Sequence, residues 1–477
     1  MLIMSAQAFD AIVVGGGQAG PPLAARLAAA GMKVALIERD HLGGTCVNTG
    51  CMPTKALVAS AYAAHLARRA ADYGVMIDAP IRIDFARTMA RARRVTRNAR
   101  AGLEAWIGGM DNITLIRGHA RFESPDTLRI GDERIAGPRI FLNVGGRAAV
   151  PEMPGVRDVP FLTNTSLLAL DALPRHLIVV GGSYIGLEFA QMFRRFGSEV
   201  TIVERMDRLV AREDEEISES IRGILEAEGI AVRTKAECIS LAMNEGAPSI
   251  GVDCEDGPPE IVGSHVLLAV GRVPNTDDLD LARAGIAADA RGYIPVDDHL
   301  QTEVPGIWAL GDCNRRGAFT HTAYNDFEIV AANLLDDEDR GVSERVPAYA
   351  LYIDPPLGRV GVTEAEARRT GRRLLVGRRP MIRVGRAVEK GETHGLMKVV
   401  ADADTKELLG AAILGTGGDE AIHAILQAIN AGTTSDELRW AVPIHPTISE
   451  LIPTLLLDME PVEAEPAMPT PNPRVLA

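Results

Sequence analysis

The sequence predicts an α/β protein in which one β-α-β unit occurs twice and a separate α+β domain follows. Residues 9–39 and 175–205 align without a gap at a constant offset of 166. Each copy reads as a β-branched strand, a glycine turn, a helix of apolar periodicity, a Gly at the helix end (Gly31, Gly197) and a second strand closing on Glu38 or Glu204. The chain has 477 residues, 47% of them hydrophobic, about three times a common single domain and enough for both copies and a further core.

In the first copy Gly15, Gly17 and Gly20 form G-x-G-x-x-G, the turn of a Rossmann-like dinucleotide unit. The first glycine makes the turn, the second admits a pyrophosphate to the backbone, and the third lets helix and strand pack closely. Pro21 and Pro22 fall in the first helical turn, where a missing N–H costs little. The second copy keeps Gly181 and Gly186 but has Ser183 at the middle position, where a side chain is expected to crowd the pyrophosphate. Glu38 and Glu204, each about 20 positions on, are placed to accept ribose hydroxyls.

Between the copies, residues 55–105 carry Ala and Arg at helical spacing and are expected to form solvated helix faces. Residues 111–150 and 230–270 read as short strands with turns, and a last α+β domain opens at Pro347. The tail after Asp458, with five prolines, is expected to be disordered.

Fifty Lys and Arg stand against 64 Asp and Glu, a net charge of −14, and the cations do not gather into a block that would clamp phosphates. Nucleic acid is therefore excluded as the expected partner. A basic, apolar leader and a run of 18 apolar residues are both lacking, so a cytoplasmic protein without membrane partners is expected.

Five cysteines in a chain this long do not make a disulfide scaffold. Cys46 and Cys51, in GGTCVNTGCMPTK, are the close pair. In an ideal helix residues five apart have Cα atoms roughly 8.6 Å apart, beyond the reach of a disulfide, so a bridge needs a distorted turn. Gly43, Gly44 and Gly50 supply a permissive backbone for it, and Pro53 restrains the next turn of chain. A strained bridge of that kind suits catalysis better than structure. Cys238, Cys254 and Cys313 are isolated and read as small buried hydrophobes. No metal-ligating set stands out.

The segments GGTCVNTGCMPTK, GGSYIGLE, GRVPNT, GIWALGDC and HPTISE, in this order, resemble those of the pyridine nucleotide-disulfide oxidoreductases, flavoenzymes of the glutathione reductase, lipoamide dehydrogenase and mercuric reductase type. The resemblance runs from residue 9 to about 457. It implies two Rossmann-like dinucleotide-binding domains and a C-terminal dimerisation domain. Their division is 1–150 and 271–345 for FAD, 151–270 for NADH (NADPH possible), 346–457 for the interface, and 458–477 for the tail. It further implies that Glu38 holds the adenosine ribose and that Gly44, Thr45, Gly271 and Asp312 line the cofactor site. Lys55 would pair with Glu188 near the flavin ring, and Tyr184 would cover the nicotinamide pocket. Cys51 would lie against the flavin and Cys46 exchange with substrate, with His445 and Glu450 as an acid–base pair supplied by the other subunit of a homodimer.

Within that family the body is nearest in kind to the mercuric-reductase-like group. Mercuric reductases, however, carry a C-terminal vicinal cysteine pair and lack the His-Pro-Thr segment, whereas here the last cysteine is Cys313 and His445 is present. The resemblance therefore implies a small-molecule disulfide as substrate, with a soft metal ion as the alternative. A nucleotide-binding electron-transfer or scaffold protein without thiol chemistry is the alternative of another class, and the cysteine pair together with His445 argues against it.

Overall fold

The computed structural model describes residues 6–253 and 257–462. The first repeat folds as predicted: β1 (Ala11–Val14), α1 (Gly20–Ala29) and β2 (Val34–Glu38), with β1 and β2 parallel. Pro21 and Pro22 occupy the first helical turn. Leu23 and Leu27 of α1 are fully buried against the sheet, each contributing roughly 1.5–3 kcal/mol over an exposed position. After β2 the chain runs through α2 (Gly44–Asn48), α3 (Cys51–Arg68) and α4 (Phe85–Gly108), then β3 (Ile113–Arg117) and β4 (Ile140–Leu142). Ile307–Ala309 completes a five-stranded parallel sheet by pairing with β4. The chain thus leaves this unit and returns to it more than 160 residues later.

The second repeat is β5 (His176–Val180), α5 (Tyr184–Phe196) and β6 (Glu199–Val203), followed by α6 (Glu215–Ala227), β7 (Ala231–Arg233) and β8 (His265–Leu268). Its four strands are parallel in the order β7-β6-β5-β8. Helix α7 (Thr320–Leu335) packs its Ile329 and Val330 into the same core as α1.

The C-terminal domain holds β9 (Ala348–Leu351), β10 (Leu357–Gly361), β11 (Leu374–Pro380), β12 (Leu396–Asp402), β13 (Leu408–Leu414) and α8 (Gly418–Asn430). These strands are antiparallel, and α8 covers them with Ile422 and Ile425. The expectation of disorder from Asp458 needs correction at its start. Residues Glu460–Val462 form β14, antiparallel to β11, because they occupy an edge whose backbone groups would otherwise be unpaired. The rest of the tail lies outside the described residues, as does Cys254. Among the described residues no helix is long and apolar enough to cross a membrane.

Candidate active site

The two glycine turns are built alike. Gly15 and Gly181 have φ of +108° and +113°, and a Cβ on either would stand 2.2 or 2.4 Å from a carbonyl, that of Asn143 or of Ala269. A Cβ on Gly20 or Gly186 would stand 2.0 or 2.1 Å from the carbonyl of Gly15 or Gly181. The repeat extends to the acids. Glu38 accepts from the Gly16 and Asp40 amides, both at 2.7 Å, and Glu204 from the Gly182 and Met206 amides at 2.5 and 2.7 Å. The offset of 166 therefore holds in the hydrogen bonds as well as in the letters.

The middle positions differ for a local reason. A Cβ on Gly17 would lie 2.9 Å from Asn143 Oδ1, whereas Ser183 is exposed and its unit has Ala269 where the first has Asn143. With no carboxamide opposite, a serine fits against the protein at this position.

A cleft of about 1130 Å³ joins the first turn to the second. Gly15, Gly17, Glu38, Gly44, Thr45 and Asp312 line it, as do Cys46, Cys51, Lys55, Tyr184, Glu188 and Gly271. Gly20, Gly181, Gly186 and Glu204 form the turns behind it. Gly44 presses on the first turn, since a Cβ there would be 2.9 Å from Gly17 Cα. Burial raises the Asp312 carboxyl, opposed by Arg272 at 3.5 Å.

Cys46 and Cys51 stand on different helices. Helix α2 stops at Asn48, and Cys51 is the first residue of α3, so the ideal-helix separation does not apply. Gly50 makes the break possible: a Cβ there would lie 2.9 Å from the Thr45 carbonyl. Both cysteines are half-buried free thiols, and each acts on the other's acidity. The hydrogen bond from Cys46 lowers Cys51 to about 6, helped by Thr320 and Lys55 and opposed by burial. Cys46 moves the other way, raised by that same hydrogen bond, by burial and by the charge of Cys51. Of the two, Cys51, beside Thr320 and Lys55, is thus favoured as the stronger acid.

Thr320, the first residue of α7, places its hydroxyl 3.2 Å from Cys51 Sγ. Lys55 Nζ donates to both Glu188 oxygens at 2.7 and 3.0 Å and lies 4.6 Å from the Tyr352 ring centroid. Glu188 also accepts the Tyr352 amide at 3.0 Å. The two members of the expected Lys55–Glu188 pair do meet, at the mouth of the cysteine pocket.

His445 Nδ1 lies 2.8 Å from Glu450 Oε2, so the dyad expected from HPTISE is formed. It is not at the cleft of its own chain. The His445 side chain is 81% exposed, beside the exposed apolar residues Trp440, Val442 and Ile444. Cys313, by contrast, is fully buried, as expected.

Three features escaped sequence reasoning. Asn143 ties the first turn to the returning strand, accepting from the Gly20 amide at 3.1 Å and donating to the Leu310 carbonyl at 3.0 Å. Thr320 gives no signal beyond being a polar residue at a helix start. The third is a buried ion cluster around Glu213, Asp214, Arg359 and Lys398.

Comparison with known proteins agrees with this geometry. Residues 9–326 match the family described as pyridine nucleotide-disulphide oxidoreductase, and residues 347–456 match its dimerisation domain. The chain is 36% identical over 451 residues to a probable pyridine nucleotide-disulfide oxidoreductase, RclA, of Escherichia coli (strain K12), covering 93% of this chain and 97% of that one. It is 34% identical over 446 residues to a dihydrolipoyl dehydrogenase of Thermus scotoductus, covering 93% and 95%. The solved Cu(II) complex of the HOCl-induced flavoprotein disulfide reductase RclA from Escherichia coli superposes with a TM-score of 0.86 at 35% identity, over 94% of this chain and 99% of that one.

Proposed function

Because this chain belongs to the pyridine nucleotide-disulphide oxidoreductases, we propose that it oxidises NADH or NADPH and reduces a small-molecule disulfide through Cys46 and Cys51, acting as a homodimer in the cytoplasm. FAD, when bound, supplies a ring that takes a hydride from the nicotinamide and passes two electrons to the cysteine pair. The residues present fit it. The first turn leaves no Cβ where a pyrophosphate approaches, and Glu38 closes the strand beside it. Asp312 lines the same cleft as Cys51 and stands to hold the ribityl chain.

The single observation that carries the reading is the pair of free thiols, Cys46 and Cys51, in the cleft that joins the two glycine turns, with the Thr320 hydroxyl 3.2 Å from Cys51 Sγ. Cys46 is pushed toward the protonated form, by Cys51 first and then by burial, so its attack on a disulfide is served by a base that removes the proton. His445, oriented by Glu450, has the required form, and its exposure suits a role at the partner's cleft. The deprotonated Cys46 attacks one substrate sulfur, the substrate S–S bond breaks, and the leaving thiolate takes the proton from His445. Cys51 then attacks Cys46 in the mixed disulfide, releasing the second thiol and restoring the Cys46–Cys51 bridge. The sum is NAD(P)H, a proton and a disulfide giving NAD(P)⁺ and two thiols.

A soft metal ion is the second reading. Two adjacent thiols favour it, and the related RclA has been solved with Cu(II). Steady-state oxidation of NADH and NADPH by the purified protein decides between them, with oxidised glutathione, lipoamide, mycothiol- and bacillithiol-type disulfides, Hg(II) and Cu(II) as acceptors. Turnover of one disulfide above both metals, lost in Cys46→Ser, supports disulfide reduction. Turnover of a metal alone supports the second reading.

A further inference from the structure

Tyr184, at the start of α5, lines the cleft on the side of the second nucleotide turn. Its hydroxyl donates to Glu213 Oε1 at 3.3 Å. Glu213 precedes α6, and its side chain is completely buried. The same oxygen accepts a second phenol, Tyr349 of β9, at 2.6 Å. The other oxygen, Oε2, is taken by Arg359 of β10, with Nε at 3.0 Å and a terminal nitrogen at 2.5 Å. The rings interlock as well: Tyr184 meets Tyr349 edge to face at 5.5 Å, and Tyr349 stacks on Phe319 at 5.5 Å.

We propose that Glu213 is the latch of a Tyr184 lid, holding the ring over the nicotinamide pocket and releasing it when the nucleotide enters. This rests on the reading that Tyr184 covers that pocket. The two phenols on Oε1 are not equivalent. Tyr349 makes the short bond from β9 of the C-terminal sheet, and Tyr184 makes the long one from α5. When Tyr184 swings away, Glu213 keeps Tyr349 and both Arg359 contacts, so no buried carboxylate is stranded. Opening breaks one long hydrogen bond and the edge-to-face contacts of Tyr184 with Tyr349 and Phe319, and leaves the other partners of Glu213 in place. Glu213 acts through Tyr184 and is a positioning residue.

The arrangement predicts opposite signs for two conservative variants, which damage to the fold does not produce. Tyr184→Phe keeps the ring and removes the latch, so nucleotide binding tightens by about 3–10-fold. Tyr349→Phe keeps the stack on Phe319 but leaves Oε1 dependent on Tyr184. Opening then strands that oxygen, and binding weakens by about 10-fold. The measurement is the equilibrium Kd of the FAD-loaded dimer for NAD⁺ or NADP⁺, whichever the wild type binds, by calorimetry, with the KM for the reduced nucleotide as the second readout. Tyr184→Ala tests the underlying lid reading, because removing the ring from the pocket must change Kd. If Tyr184→Ala changes Kd while the two Phe variants leave it unmoved or move it the same way, the latch is refuted and the lid survives. If none of the three moves Kd, Tyr184 is no lid and both ideas fall.

Discussion

Replacing Thr320 with Val removes a hydroxyl and keeps the shape, and it should make Cys51 a weaker acid. The Thr320 hydroxyl is 3.2 Å from Cys51 Sγ and must donate once that sulfur is a thiolate. A hydrogen bond to a charged group contributes roughly 1.5–3 kcal/mol, which corresponds to about one to two pKa units. From about 6, Cys51 should therefore rise to roughly 7–8. The thiolate exists above the pKa and is lost as pH falls through it, so the loss should come at higher pH in the variant. At pH 7 the thiolate share of the reduced enzyme falls from about nine-tenths to a half or less. The assay is a pH titration of the long-wavelength absorbance that a thiolate gives against the oxidised flavin ring, after anaerobic two-electron reduction. Thr320→Ser should restore the wild-type midpoint. An unchanged midpoint in Thr320→Val would show that Cys46 and Lys55 hold the anion without Thr320, and the reasoning from this contact would fail.

Cys46→Ser should retain that absorbance on reduction and Cys51→Ser should abolish it; the reverse pattern would invert the orientation of the pair. His445→Ala should lower disulfide turnover by roughly 10²–10⁴-fold, the span for losing a general acid–base. Coexpressing Cys46→Ala and His445→Ala chains should recover about a quarter of wild-type activity, since half the dimers are mixed and each holds one intact site; no recovery would place the base elsewhere. NADH should be preferred over NADPH in kcat/KM, because a carboxylate at Glu204 repels a 2′-phosphate, and Glu204→Ala should narrow the ratio. A wild-type ratio favouring NADPH would contradict this.

What the sequence made legible was local or repeated. The glycine turns, their closing acids and the break between Cys46 and Cys51 all depend on spacings within a few dozen residues, and the repeat doubled the signal. The tolerance for Ser183 was not legible, because it depends on Ala269, 86 positions away, standing where the first unit has Asn143. Thr320 and Cys51 are 269 residues apart, and Glu213 and Arg359 are 146 apart. Neither pair has a periodicity or motif to announce it. The start of the tail misled for a different reason: its prolines argue against a core, but an edge strand needs only backbone groups on one side, and β11 offers them.

The buried charges tie the C-terminal domain to the corner that holds Glu213, the residue proposed to latch Tyr184. Arg359 and Lys398 extend from β10 and β12 with side chains 1% and 2% exposed. Lys398 Nζ lies 2.9 Å from Asp214 and 2.8 Å from Glu364, and Asp214, just before α6, accepts the Glu364 and Ala365 amides. Ions desolvated to this degree contribute little net stability when paired, but removing one partner costs about 3–5 kcal/mol. The cluster is thus a weak source of stability and a strong constraint on position, fixing the Glu213–Asp214 corner against the C-terminal sheet. The dyad at His445 is carried by that same C-terminal domain. The proposed proton handling at Cys46 and the proposed anchoring of Tyr184 thus both draw on residues of the C-terminal domain. A substitution such as Lys398→Met, far from both sulfurs, should accordingly disturb nucleotide binding before it disturbs the cysteine pair, and NAD⁺ affinity compared with the midpoint of the Cys51 titration would separate the two effects.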